Sequence, residues 1–201
     1  MWVAGVDGCR TGWIAAFAPV NLSEVRIRVV HTVEAVIDAP ERPETVAIDI
    51  PIGLPERTAG SGRLPEQLVR PLLGARQSSV FAIPGRRAVF APDYPEACWL
   101  AASTSEPSRK VSKQGFMIFP KIREVDTLLR DRPEERERLF EVHPEVAFWS
   151  MNGEQPLGEP KKVKGNPTGR ASLCAGAFSP QRVSRATRLG RPRREAPRRM
   201  T

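Results

Sequence analysis

Cysteine is scarce, and what there is does not form a pattern. Cys9, Cys98 and Cys174 are odd in number, and their spacing matches neither a metal-binding knuckle nor a disulfide framework. Reduced, mostly structural thiols in a cytoplasmic protein are the expectation. Long apolar runs are missing as well: nothing approaches the ~20 residues that span a bilayer, so no membrane partner is expected. Residues 1–6 are apolar but lack a basic segment, and Asp7 interrupts them, so no secretory leader is expected. Aromatics are only 6% of the chain. Trp2, Trp13 and Trp149 fall in strand-like runs where core is the simpler role, which leaves no stripe on which bases would stack. Acids are missing from one region. Residues 161–201 hold 12 Lys/Arg and the single acid Glu195, leaving 19 bases and 22 acids in residues 1–160. The formal charge of +8 therefore belongs to the tail, and the body is mildly acidic.

What is present suits a globular body. With 201 residues, 40% hydrophobic and 27% charged, one domain plus a tail can bury a substantial core. The division is expected at residues 1–165 and 166–201. Beyond Lys164 there is no Ile, Trp or Tyr, one Phe and nine Arg. No period lasts more than a turn there, so little packed structure is expected.

Residues 2–6 form an apolar run ending at Asp7-Gly8, a strand and then a turn. Residues 11–17 follow with Trp13, Ala15 and Phe17 on one face at period two. Val25, Ile27 and Val29 alternate with Arg26 and Arg28, the pattern of a strand wet on one side. Together these predict an antiparallel meander. A short helix over 32–39 capped by Thr32 and a buried strand over 45–50 ended by Pro51 come next. Residues 53–63 read as loop, with helices at 65–73 and 94–104. Ile118, Ile122, Val125 and Leu129 keep helical spacing within 114–130, where Pro120 kinks the helix or marks its start. Residues 139–149 return to strand character.

Asp7 and Asp49 each end an apolar strand and precede a Gly or Pro turn. A lone carboxylate there is commonly a turn-former or a cap. Two in one small sheet are more pointed: if the first and fourth strands are neighbours, both emerge at the edge where open sheets place their sites. On a strand, Glu141, His143 and Glu145 point the same way, as a solvated face also would, and Pro144 favours an edge or terminal position. Carboxylates converging with a histidine repel one another unless protonated or bridged by a cation, for which Mg2+ or Mn2+ is the economical choice. The turn around Gly8 and Gly12 suits backbone approach to phosphate, but it lacks a Gly-Lys-Ser/Thr signature and leads into a strand. Cys9 is a weak nucleophile candidate, having no evident basic partner.

The string Val6-Asp7-Gly8-Cys9-Arg10-Thr11-Gly12-Trp13 resembles the opening motif of a bacterial family called domain of unknown function 429, described as predicted nucleases with an RNase H-like fold. Further segments resemble it in order: Ile48-Asp49-Ile50-Pro51-Ile52-Gly53-Leu54-Pro55, then Leu73-Gly74-Ala75-Arg76-Gln77-Ser78-Ser79-Val80-Phe81. Pro120-Lys121-Ile122-Arg123-Glu124-Val125-Asp126, Glu141-Val142-His143-Pro144-Glu145 and Lys161-Lys162 follow. The resemblance implies an α/β fold: a mixed five-stranded sheet, an antiparallel meander followed by parallel strands, flanked by helices. It implies a metal-dependent nuclease acting on nucleic acid, with Mg2+ or Mn2+ held by Asp7, Asp49 and Glu141. Glu145 and His143 would join the catalytic set, and Arg10, Lys121, Lys161 and Lys162 would contact substrate.

The resemblance also implies a C-terminal helix with an Asp-Asp-x-x-Asp-Ala-like stretch closing the metal site. Residues 166–201 contain no Asp and only Glu195. Their Arg/Pro/Ser/Gly/Ala mixture is what an out-of-frame reading of a GC-rich gene produces, so loss of the native frame near residues 164–169 is expected, with activity and stability both reduced. One competing reading makes the tail a nucleic-acid-binding arm on a non-catalytic body, with salt-dependent affinity. Another is an actin-like, ATP-dependent phosphotransferase centred on Asp7 and Gly8, which would need a second phosphate loop and a second, duplicated domain, and 201 residues leave no room for both.

Overall fold

The computed structural model describes residues 1–158 and the backbone of two short paired strands further on. The chain opens with β1 (Trp2–Cys9) and β2 (Gly12–Pro19), paired antiparallel through the turn at Arg10-Thr11, and β2 pairs antiparallel with β3 (Arg26–Val30). Gly12 is obligatory at this turn. Its φ is +146°, and a Cβ there would lie 2.0 Å from the Val30 carbonyl oxygen, a clash no side chain can relieve. The antiparallel meander is as predicted, but β1 runs through the expected turn at Asp7-Gly8 to Cys9, because Asp7 and Gly8 pair with Ile14 and Trp13.

A short α1 (Glu34–Ile37) crosses to β4 (Thr45–Ile48), which runs parallel to β1 on its other side. α1 is shorter than the expected 32–39. Val33 occupies its cap position, while Thr32 Oγ1 still accepts from the Ala35 amide at 3.4 Å. Between β4 and the last sheet strand lies a helical excursion. It contains β5 (Thr58–Ala59), α2 (Leu64–Val69), a 3-10 segment (Arg70–Ser79), α3 (Arg86–Val89) and α4 (Tyr94–Ser103). β6 (Ser105–Glu106), parallel to β5, α5 (Lys113–Met117) and α6 (Phe119–Asp131) complete it. Pro120 sits in the first turn of α6, so it marks a start rather than a kink; a proline there forfeits no helical hydrogen bond. After a 3-10 turn at Pro133–Glu137, β7 (Leu139–Glu141) pairs parallel with β4 and α7 (Pro144–Met151) follows. The two paired strands beyond are β8 (Lys162–Val163) and β9 (Asn166–Pro167).

The five-stranded sheet has the order β3-β2-β1-β4-β7. Its mixture of antiparallel and parallel pairs, flanked by helices, is the α/β architecture expected from the sequence. One face is the core. Trp13, Phe17, Val46 and Ile48 are buried there against Val36, Phe119, Ile122 and Val125, the last three on one side of α6 at the spacing its periodicity predicted. The other face carries the row Ile27–Ala16–Gly5–Ala47–Phe140 in register across all five strands. Ile14, Ile27, Val29 and Phe140 are exposed on it.

The strand expected over 139–149 is a correction. β7 stops at Glu141, and Pro144 begins a helix for which His143 is the cap, its Nδ1 accepting the Glu145 amide at 3.2 Å. Glu141, His143 and Glu145 therefore do not share a strand face. Proline fits the first helical turn and forbids the ladder that a longer strand would need. The tail after residue 165, its expected loss of frame and its expected lack of packed structure lie outside the described residues, apart from the backbone of β9.

Candidate functional site

Parallel pairing of β1 with β4 brings two acids together. Val6 and Ile48 are register partners on the buried face, so strand alternation turns Asp7, still within β1, toward the opposite face, while Asp49 is the first residue beyond β4. The Asp49 amide donates to the Val6 carbonyl at 2.9 Å, which holds the two chain ends side by side. Asp7 is exposed and Asp49 half-buried. Each follows the last register pair of the parallel strands, Asp7 within β1 opposite Ile14 and Asp49 just past β4, on the side of the Arg10 turn.

Lys121, from the first turn of α6, reaches this edge from the helix side. Its Nζ lies 4.3 Å from the Trp13 ring centroid and 3.7 Å from Glu124 Oε2, and its stem passes 3.7 Å from where a Cβ on Gly8 would be. Glu124 in turn accepts from Trp13 Nε1 at 2.8 Å and from the Val33 amide at 2.7 Å. A cation is thus held beside Gly8, the residue after Asp7 in β1, between an aromatic face and an anchored carboxylate.

Glu141 ends β7 opposite Ile48 and belongs to a different assembly. Its Oε1 accepts from Arg63 Nη2 at 2.7 Å and its Oε2 from the Ile52 amide at 2.8 Å. Arg63 is only 4% exposed. It also donates to the Ile52 and Gly53 carbonyls and, through Nε, to Glu66 Oε1 at 2.7 Å. Burial opposes the Arg63 charge, but the hydrogen bond and attraction of Glu141, and then of Glu66, outweigh it and raise the guanidinium pKa above its ordinary value. The result is a clamp between β7 and the loop leaving β4.

Glu145 lies deeper still. It is 3% exposed and pairs with buried Arg76 at 2.9 Å, fastening α7 to the 3-10 segment. His143 Nε2 lies 3.4 Å from the Ser79 carbonyl. With Nδ1 accepting, that geometry corresponds to the Nε2–H tautomer. Cys9 Sγ has Thr11 Oγ1 at 3.8 Å. Of the candidate substrate lysines, Lys161 lies outside the described residues and Lys162 is described only as backbone in β8.

Among the described residues, no three of His, Cys, Asp and Glu lie close enough together to hold a metal ion. Asp7 and Asp49 nevertheless suit a small hard cation, since Mg2+ is commonly held by one or two carboxylates together with substrate phosphate rather than by an all-protein cage. Sequence reasoning missed Arg63, Glu66, Arg76 and Glu124. Two pairs do carry a local signal, opposite charges three residues apart: Lys121/Glu124 on a face of α6 and Arg63/Glu66 across the start of α2, where Glu66 accepts from the Arg63 amide.

No helix among the described residues is long and apolar enough to cross a membrane. Comparison with curated proteins found no match, and comparison with solved structures found none. A family model, in contrast, matches residues 5–199, covering the sheet, both acids, the clamp and the arginine-rich stretch. The chain belongs to the family described as Protein of unknown function (DUF429).

Proposed function

We propose that the chain is a divalent-metal-dependent phosphodiesterase of RNase H-like type acting on nucleic acid, with Asp7 and Asp49 as its principal carboxylates. One observation carries the reading: the two acids each follow the last register pair, Val6 and Ile48, of neighbouring parallel strands, tied by the amide of Asp49 on the carbonyl of Val6. Open α/β sheets place their chemistry at the carboxyl ends of such strands.

Asp7 and Asp49 would hold Mg2+ or Mn2+, which when bound supplies an activated water and charge stabilisation for in-line displacement at phosphorus. Lys121, steadied by Glu124 and Trp13, is positioned to attract a phosphate oxygen to the edge. Arg10 extends the positive charge along the hairpin turn. Glu141 contributes by fixing the loop that follows Asp49, and Glu145 and His143 by seating α7. Lys161 and Lys162 remain candidate phosphate contacts. Without the acid-bearing stretch that the family resemblance implies, turnover is expected to be low.

A second reading, nucleic-acid binding without cleavage through residues 166–201, draws on their concentration of positive charge. One experiment separates the two. Cleavage of single- and double-stranded DNA and RNA is assayed with Mg2+ or Mn2+, for the parent and for Asp7→Asn. Metal-dependent cleavage that disappears in Asp7→Asn, with unchanged circular dichroism, supports the nuclease. Unchanged cleavage removes Asp7 from the mechanism. Steeply salt-dependent binding without cleavage, lost on deleting residues 166–201, favours the binder.

A further inference from the structure

A second concave site lies on the helix side of the sheet, away from the exposed face toward which Asp7 turns. It is a cleft of about 430 Å3 between the loop after β4, α6, the 3-10 turn at Pro133–Glu137 and the start of β7. This volume lies within the range of small-molecule sites. Leu54, Leu129 and Leu139 make its floor and are all buried. One wall is an ion pair that consumes its own charge: Arg86 Nη2 donates to Asp126 Oδ1 at 2.9 Å and Nη1 to Oδ2 at 2.5 Å. Arg130 and Arg136 also line the cleft. Both are exposed, and among the described residues neither enters a hydrogen bond or ion pair.

We infer that this cleft binds a phosphate monoester carried on an apolar body, independently of the Asp7–Asp49 edge. The charge balance points to the headgroup. Among the lining residues Arg86 and Asp126 neutralise each other and Arg130 and Arg136 remain positive, with exposed Glu56, 3.9 Å from Arg86 Nε, the acid beside them. A phosphate monoester, with about two negative charges near pH 7, complements the two arginines. Their planar guanidiniums suit bidentate contact with phosphate oxygens. The leucine floor offers apolar contact for the rest of the ligand. The cleft is preformed on one side, because Arg63 grips the carbonyls of both Ile52 and Gly53 in its lining loop. At Gly53, where φ is +81°, a Cβ would meet nothing within 4 Å, so the backbone there borders open space. The two sites differ in sign. An edge of aspartates repels phosphate unless a cation intervenes, whereas this cleft attracts phosphate unaided.

The test is calorimetric titration of the full chain in EDTA with phenyl phosphate, inorganic phosphate and phenol. Phenyl phosphate is expected to bind at least about ten-fold tighter than inorganic phosphate, with phenol not binding measurably. Arg130→Ala/Arg136→Ala, at exposed positions and with its melting temperature checked, should weaken phenyl phosphate by at least about ten-fold. Asp7→Asn should leave that affinity unchanged, so this result stands or falls apart from the nuclease assay. A dinucleotide with and without a 5′-phosphate identifies the source. Tighter binding of the phosphorylated form than of phenyl phosphate indicates a nucleic-acid end, and equal or weaker binding a small metabolite. No binding of phenyl phosphate at millimolar concentration overturns the inference, as does equal binding by the double variant.

Discussion

Arg63 Nη2 lies 2.7 Å from Glu141 Oε1 while Nη1 of the same guanidinium donates to the Ile52 carbonyl at 2.5 Å, so one buried side chain joins the end of β7 to the loop leaving β4. That loop begins at Asp49 and continues into the wall of the second cleft. Removing one partner of a buried ion pair strands the other without water or counter-charge. Arg63→Met should therefore cost about 3–5 kcal/mol, measured by urea denaturation. Because the carboxylate left stranded is that of Glu66, buried beside Arg63, whereas Glu141 reaches solvent, adding Glu66→Gln should recover part of it. A loss below about 1 kcal/mol would show that the clamp does not hold the loop.

A second prediction concerns the middle of α6, where half-buried Glu124 meets Trp13. Trp13 is fully buried, and its Nε1 shares Glu124 Oε1 with the Val33 amide. Glu124→Ala leaves both donors without their acceptor, at about 1–3 kcal/mol for each. Glu124→Gln keeps an oxygen in place and should recover most of the loss. Tryptophan fluorescence should shift in the alanine variant and stay near the parent in the glutamine variant. Equal stability of the two would show that the carboxylate oxygen is not what satisfies Trp13.

These contacts mark how far a sequence can be read. The parallel neighbours β1 and β4 were legible as a condition on Asp7 and Asp49, and α6 was legible from Ile118, Ile122, Val125 and Leu129, because both depend on local periodicity. Arg63–Glu141 and Trp13–Glu124 join residues 78 and 111 positions apart. Spacing carries no information about such pairs, since the intervening crossover decides which charges meet. The 139–149 segment failed differently. Its apolar residues fit a period of two loosely, but His143-Pro144-Glu145 held a stronger local signal, a cap followed by a proline suited to the first helical turn.

Acid should weaken the protein partly through Glu41. Its buried carboxylate accepts from Arg28 Nη2 at 2.5 Å and from Arg26 Nη1 at 3.3 Å. The Arg28 hydrogen bond is the largest influence and holds the Glu41 pKa below the ordinary glutamate value despite burial. A depressed folded-state pKa means the stabilisation is complete above the unfolded value of about 4.3. It is lost as pH falls through the lower folded value. Melting temperatures of the parent and Glu41→Gln should therefore differ most above about pH 5 and converge as pH falls below the ordinary glutamate value of about 4.3. A difference that stays constant across that range would show that the Glu41 charge is not what stabilises.

The same pair explains an inversion on β3. Alternation of Val25, Ile27 and Val29 with Arg26 and Arg28 predicts one wet face, and by hydropathy alone the arginines would take it. Instead Ile27 and Val29 are 65% and 57% exposed. The arginines turn to the helix side, Arg28 over the Phe17 ring at 4.5 Å and Arg26 over the Trp2 ring at 4.8 Å. β3 is the edge strand, and Glu41 supplies a buried counter-charge there. Aliphatic arginine stems cover the aromatic rings while their heads reach the carboxylate and solvent. The usual ranking of substitutions should then reverse. Ile27→Thr keeps a β-branched side chain and should change stability by no more than about 0.5 kcal/mol. Arg28→Ala uncovers Phe17 and takes from Glu41 its shorter partner, at about 1–3 kcal/mol. Chemical denaturation of the two variants decides the matter: if Ile27→Thr costs more than Arg28→Ala, the apolar side of β3 is covered in solution and the arginines do not seal this edge of the core.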